Sequence, residues 1–258
     1  TADVNVIAMI GERGRETVEF IERELGPEGL ERSVLVVATS DQPPLIRTRA
    51  AYRATTIAEY FRDRGRQVLF MMDSITRFAM AQREIGLAAG EPPTTKGYPP
   101  SVFSTLPRLL ERTGRSDSEG SITGFYTVLV EGDDLADPIG DAVRSIVDGH
   151  VVLSRDLASR GQYPAVDVLH STSRVMTDVV SNQHRRDAQA FVSTLATYQE
   201  AEDLINIGAY VRGSNPRIDY ALDKIEAITA YLKQPIEQRA PLGESEAILQ
   251  QMFSDFQW

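Results

Sequence analysis

The chain has no cysteine, which excludes a disulfide framework and thiolate-held metal centres and fits a reducing, cytoplasmic setting. No apolar run approaches the ~20 residues of a membrane-crossing helix, so no spanning segment is expected. Lysine is scarce: of 27 basic residues only Lys96, Lys224 and Lys233 are lysines. None of them follows a glycine, so the phosphate-cradling pattern G-x-x-x-x-G-K-[ST] is not in this sequence. Positive charge is also outweighed, and the formal net charge of -10 disfavours wrapping a nucleic-acid backbone. What remains is an ordinary globular composition of 258 residues, 42% hydrophobic, enough for one large domain and a smaller one. The sequence opens on Thr1 and enters an apolar run almost at once, which reads as a fragment with something missing upstream.

The stretch that orders the rest is Gln67 to Asp73, where Val68 to Met72 form an unbroken apolar run that stops on a carboxylate. That length suits a strand, and a strand without polar alternation is buried on both faces, as in the middle of a parallel sheet. Ligands of such sheets sit beyond the carboxyl ends of the strands. Two readings of Asp73 stand side by side. It caps the helix that begins near Ile75, or it holds the water shell of Mg²⁺, a hard cation that prefers oxygen and keeps several waters.

Along the chain, Val4 to Ile10 and Ser33 to Ala38 are further strand-like runs, and Ile122 to Val130 is the longest. A helical pattern with Val18, Phe20, Ile21 and Leu25 follows the first and is expected to end at Gly26-Pro27 and Gly29. Residues 45 to 63 read as a helix with Ala50, Ala51, Ala54, Ile57, Ala58 and Phe61 on one face. Glu12, Asp41, Asp73 and Glu131 each stand at or just past the end of one of the four strands. If those strands are parallel neighbours, one sheet edge carries a row of carboxylates, which needs a metal or basic groups beside it. Alternating strands and helices give an α/β fold, a mostly parallel sheet flanked by helices over 1–176, followed by a smaller helical C-terminal domain over 177–258.

Several segments then carry a resemblance: Gly11-Glu12-Arg13-Gly14-Arg15-Glu16, Met72-Asp73-Ser74-Ile75-Thr76-Arg77, Gly90-Glu91-Pro92-Pro93, Lys96-Gly97-Tyr98-Pro99-Pro100-Ser101, and Tyr163-Pro164-Ala165-Val166-Asp167 through Ser173-Arg174. Together and in this order they resemble the rotary-ATPase superfamily. Asp133-Asp134 with Asp137-Pro138-Ile139 and Asp148-Gly149-His150 is most similar to its type III export ATPases, the flagellar branch first and the virulence-secretion branch next. The resemblance implies a RecA-like core and a hexameric ring on the cytoplasmic side of the inner-membrane export gate, with ATP and Mg²⁺ as cofactors. It also implies export chaperones, cargo, and stalk and regulator subunits as partners, and no nucleic acid.

Carried over residue by residue, the resemblance makes Glu12 the carboxylate that polarises the attacking water and Arg174 an arginine finger for a neighbouring subunit's nucleotide. Arg13 would contact the γ-phosphate, Asp73 the Mg²⁺ water shell, and Tyr163 the adenine face. Gln234 and Pro235 would line the far side of the adenine pocket, although Ile236 and Leu242 put aliphatics where synthase relatives carry aromatics. The phosphate loop would lie before Thr1. Without its strand, Val4 to Ile10 and Val68 to Met72 are expected to leave an unpaired apolar edge, and this chain by itself is expected to be inactive. Three other readings stay open: a non-catalytic ring subunit, a chaperone or cargo interaction module, and an RNA or DNA translocase built on the same core.

Overall fold

Val4–Ile10 (β1) is apolar except for Asn5, and its last five residues, Val6 to Ile10, are buried because both faces of the strand are covered there. The computed structural model describes residues 2–117, 119–134 and 136–256 of the chain. Ser33–Ala38 (β2), Gln67–Asp73 (β3) and Ser121–Tyr126 (β5) join β1 in a sheet closed at one side by the two residues Gly114–Arg115 (β4). The order is β2-β1-β3-β5-β4, and the first four strands are parallel neighbours. Helical crossovers connect them, since parallel neighbours cannot be joined by a tight turn. The expected mostly parallel α/β sheet is therefore the fold of this part of the chain.

The register corrects one expectation. Asn5 to Ile10 pair with Ser33 to Ala38 on one side, and Val4 to Met9 pair with Val68 to Asp73 on the other. β1 and β3 are direct partners with no strand between them, so neither carries an open apolar edge. β5 pairs antiparallel with β4 only through Ser121 and Ile122, and the rest of its outer side has no ladder partner among the described residues.

Gly14–Glu19 (α1) leads into a π-helical turn over Phe20–Leu25 and then Gly26–Glu31 (α2). Gly26-Pro27 thus interrupts the helical stretch without ending it, because proline is accepted in the first turn of a helix, where its missing N–H has no partner to lose. Pro44–Arg62 (α3) lays Ala51, Ala54 and Ala58, all fully buried, in the core with β1 and β3. Their small side chains let the backbone sit close to the strands. Ile75–Ala88 (α4) and Pro100–Leu110 (α5) add Phe78, Val102, Leu106 and Leu109, and Pro138–Ile146 (α6) adds Ile139 and Val143. Burying each such large side chain contributes about 1.5–3 kcal/mol. β5 stops at Tyr126, short of the expected Val130, because the backbone beyond it turns its hydrogen bonds toward the end of β3 and the start of α4.

The chain divides by packing into Thr1–Val147 and Asp148–Trp258. In the second unit Gly149–Leu153 (β6) and Val166–Ser173 (β7) form an antiparallel pair, with Arg155–Ser159 (α7) between them in sequence. Met176–Val179 (α8) precedes three longer helices, Asn182–Asn206 (α9), Pro216–Leu232 (α10) and Leu242–Met252 (α11). Ser181 and Asn215 cap α9 and α10 by accepting from the N–H groups of His184 and Arg217. Phe191, Leu195, Ile228, Leu249 and Phe253 form this unit's core, with Val168 and Leu169 of β7 against it.

Candidate functional site

Because β2, β1, β3 and β5 run parallel side by side, their carboxyl ends fall on one edge, and the residues that follow them gather there. Gly11 takes φ +75 at the end of β1, which bends the chain so that Glu12 stands beside the end of β3. Asp73 is the last residue of β3 and pairs in register with Met9. Asp41 lies past β2, where it accepts a hydrogen bond from Thr39; Glu131, expected at a strand end, lies five residues beyond the end of β5 in the turn Glu131–Asp133 and is not a strand-end member of the row. The carboxylate row read from the sequence depends on this strand order.

Glu12 is half-buried, like Asp73, with a side chain only 14% exposed and its Oε1 out of contact with solvent. Burial holds its carboxyl above the ordinary carboxylate range, and the charge of Asp73 pushes the same way, against the pull of Arg77. Arg77 Nε stands 3.7 Å from Glu12 Oε1. That is close enough for attraction but too far for a hydrogen bond, and both atoms are buried without any hydrogen-bond partner. Leaving such atoms unpaired costs free energy unless something else satisfies them. Two orphaned polar atoms of opposite charge beside an acidic edge fit a ligand that brings both an anionic group and a water.

Asp73 does not cap the helix after it. Ser74, fully buried, takes that role by accepting from Arg77 N at 3.3 Å, and the peptide between Asp73 and Ser74 is cis. Asp73 Oδ1 instead accepts a 2.5 Å hydrogen bond from Thr127 Oγ1. Among the described residues no three acidic or histidine side chains converge to hold an ion directly. An ion at Asp73 would therefore keep most of its waters, which suits Mg²⁺.

Arg13 lies on the outside, 82% exposed, with its guanidinium 3.4 Å from Glu16. Such an exposed pair contributes at most about 1 kcal/mol, so it holds Arg13 only loosely. The other sequence-predicted residues belong to the second unit. Tyr163 is 60% exposed, and its carbonyl accepts from Gln234 N at 2.8 Å. That bond brings together two candidates far apart in sequence and sets Gln234-Pro235 next to the tyrosine. Ile236 and Leu242 nearby in sequence are largely exposed. Arg174 follows β7 directly, exposed, with its backbone N–H donating to Asp148 O at 2.7 Å.

Sequence reading assigned no role to Arg77, Thr127 or Lys96. Lys96 Nζ lies 3.0 Å from Asp134 Oδ2 and 3.4 Å from Asp137 Oδ2, tying the turn Thr95–Gly97 to the acidic loop ahead of α6. The hydrogen bond to Asp134 is the main reason its ammonium titrates above the usual lysine range. Arg77 and Lys96 both stand inside the segments that resemble the family, Met72 to Arg77 and Lys96 to Ser101, and that membership is their sequence signal. Thr127 had none.

The ATP synthase alpha/beta family nucleotide-binding domain matches residues 1–173, and the type III secretion EscN ATPase C-terminal domain matches residues 180–251. The flagellum-specific ATP synthase of Bacillus subtilis is 63% identical over 248 residues, which is 96% of this chain and 56% of that protein. The assembled ATPase EscN of the enteropathogenic E. coli type III secretion system superposes with a TM-score of 0.94 at 50% identity, over 98% of this chain and 61% of that one. EscN in complex with its central stalk EscO gives 0.88 at 49% identity, over 98% and 60%. The chain thus spans a little over half the length of the curated relative it matches.

Proposed function

The chain belongs to the ATP synthase alpha/beta family, and from that we propose that the protein hydrolyses ATP to drive type III protein export as one subunit of a homohexameric ring. Flagellar export is the first reading and virulence secretion the second, because identity is 63% to the flagellar relative of Bacillus subtilis and 56% to the type 3 secretion system ATPase of Xanthomonas euvesicatoria. Residues 1–176 serve as the nucleotide-binding core and 177–258 as a helical C-terminal domain, a division that the limits of the two family matches support.

One observation carries the reading: the buried, unpartnered Glu12 Oε1 beside Asp73 at the carboxyl edge of a parallel sheet. A carboxylate held there can accept a proton or a hydrogen bond from a water aimed at a phosphoryl group. Its raised pKa moves it toward the basicity such a role needs. Asp73 would hold the water shell of Mg²⁺, which when bound neutralises charge on the phosphate oxygens. Arg13 would release Glu16 to reach the γ-phosphate. Tyr163 would stack on adenine, an apolar and polarizable face, with Gln234 and Pro235 beside it. Arg174 would serve the nucleotide of a neighbouring subunit, its planar and always-charged fork matching transition-state charge. The presence of Glu12 disfavours a non-catalytic ring subunit, and the acidic chain disfavours a nucleic-acid translocase.

The partners we propose follow the same reading: other copies of the chain, a stalk subunit like the one seen with EscN, regulator subunits, export chaperones and their cargo. No helix of the described residues is long and apolar enough to cross a membrane. We place the protein in the cytoplasm, peripheral to the inner membrane at the export gate.

The test is Glu12→Gln in the protein as encoded, with steady-state Mg-ATP hydrolysis measured beside nucleotide affinity. Turnover is expected to fall by roughly 10²- to 10⁴-fold with affinity retained. Turnover near that of the unmodified protein would remove Glu12 from the reaction and the reading with it.

A further inference from the structure

The segment just past β5 is fastened around Asp73 on three sides. Thr127 N donates to Met72 O at 3.1 Å, and Thr127 O accepts from Ile75 N at 3.0 Å, so the two backbone bonds of Thr127 bracket Asp73 before and after it. The third bond is from the Thr127 hydroxyl, which has two acceptors in reach, Asp73 Oδ1 at 2.5 Å and Met72 O at 3.5 Å; its one proton goes to the nearer, charged oxygen of Asp73. Two residues on, Leu129 N donates to Thr76 Oγ1 at 2.8 Å and Thr76 Oγ1 donates to Leu129 O at 3.1 Å, which locks the same segment to the first turn of α4.

Thr127 is exposed, so packing does not require its hydroxyl to find a protein partner; water would serve. A β-branched side chain on a backbone held at both ends has little rotamer freedom, which fixes the hydroxyl where it stands. The consequence falls on Asp73. With Oδ1 engaged by Thr127, Oδ2 has no bonded donor among the described residues and is the oxygen left for a ligand.

We propose that Thr127 is a positioning residue: it orients the Asp73 carboxylate so that one chosen oxygen faces the water shell of the Mg²⁺ carried by a nucleotide. This rests on the ATPase reading above and adds to it a residue that touches neither the nucleotide nor the reacting atoms. Partners that orient an ion's carboxylate from behind typically change metal affinity 10- to 100-fold when removed, and a water-mediated ion belongs at the low end.

The test uses Thr127→Val, which keeps the shape and removes the hydroxyl, and Thr127→Ser, which keeps the hydroxyl, both in the protein as encoded. Binding of a fluorescent ATP analogue is titrated with Mg²⁺ and repeated with EDTA, and thermal unfolding is recorded for each variant. In Thr127→Val the half-saturating Mg²⁺ concentration is expected to rise on the order of 10-fold. Binding in EDTA and the unfolding midpoint should stay at wild-type values. Thr127→Ser should restore the wild-type Mg²⁺ dependence. Wild-type Mg²⁺ dependence in Thr127→Val, equal loss of binding with and without Mg²⁺, or no rescue by serine would each overturn the proposal while leaving the ATPase reading intact. A wild-type protein without any Mg²⁺-dependent nucleotide binding would overturn both.

Discussion

Gly11 and Arg77 stand so close that a Cβ built on Gly11 would lie 2.7 Å from Arg77 Cβ. The approach is what lets the arginine reach along the end of β1 to Glu12, and the positive φ of Gly11 makes the bend that puts Glu12 there. Both demands exclude a side chain at position 11. Gly11→Ala should therefore push α4 outward or straighten the turn, at a cost of about 1–3 kcal/mol. Urea unfolding measures it, and a variant with the parent midpoint would mean that the turn and Arg77 adjust freely.

Glu12 itself should limit stability at neutral pH. Its folded pKa lies above the ordinary value of 4.5, so across the interval between the two the folded chain holds a proton that the unfolded chain has released. Stability accordingly falls as pH rises through that interval, and the whole deficit is present above it. Glutamine at this position carries no such deficit. Glu12→Gln is expected to unfold at a higher urea concentration than the parent at pH 8, with the gap closing as pH falls toward 4. The same variant is expected to lose turnover in the hydrolysis test, so a gain in stability beside a loss of activity would mark a group held in strain for function. Equal midpoints at both pH values would contradict the burial assigned to this carboxylate.

Much of this site was legible in the sequence because it consists of strand ends. A run such as Val68 to Met72 announces its burial, and the residue after it is at the edge whatever the neighbours are. Hence Glu12, Asp41 and Asp73 could each be placed at a strand end from pattern, and on one shared edge only on the condition that the strands are parallel neighbours. What pattern does not carry is which strand lies beside which. The bonds of Thr127 to Asp73 and of Thr76 to Leu129 join residues more than fifty positions apart and exist only because β5 is the neighbour of β3. The same ignorance produced the misplaced open edge, since β1 and β3 are partners although β2 and α3 separate them in sequence. The early end of β5 has a similar cause. Val128, Leu129 and Val130 continue the apolar character of the strand, but their segment is bonded to the start of α4, and hydrophobicity does not distinguish the two.

The last prediction concerns Arg174, whose root is fixed while its side chain lies exposed. Its N–H is bonded to Asp148 O, and the strands beside it run so close that a Cβ on Gly149 would meet Thr172 O at 2.6 Å. A charged fork on a rigid hairpin end suits delivery to a ligand outside its own subunit. In a ring built head to tail, each interface takes different surfaces from its two members, so Glu12 and Arg174 of one working site would come from different copies. Arg174→Ala should lower hydrolysis on the order of 10³-fold. Mixed with Glu12→Gln at equal amounts, it should recover activity, because about a quarter of the interfaces would combine an intact Glu12 with an intact Arg174. The measurement is hydrolysis by rings whose mixed composition is verified by mass spectrometry. Activity no higher than that of either parent variant would place Arg174 in the service of its own subunit's nucleotide, because only a residue acting across the interface can be complemented by its neighbour.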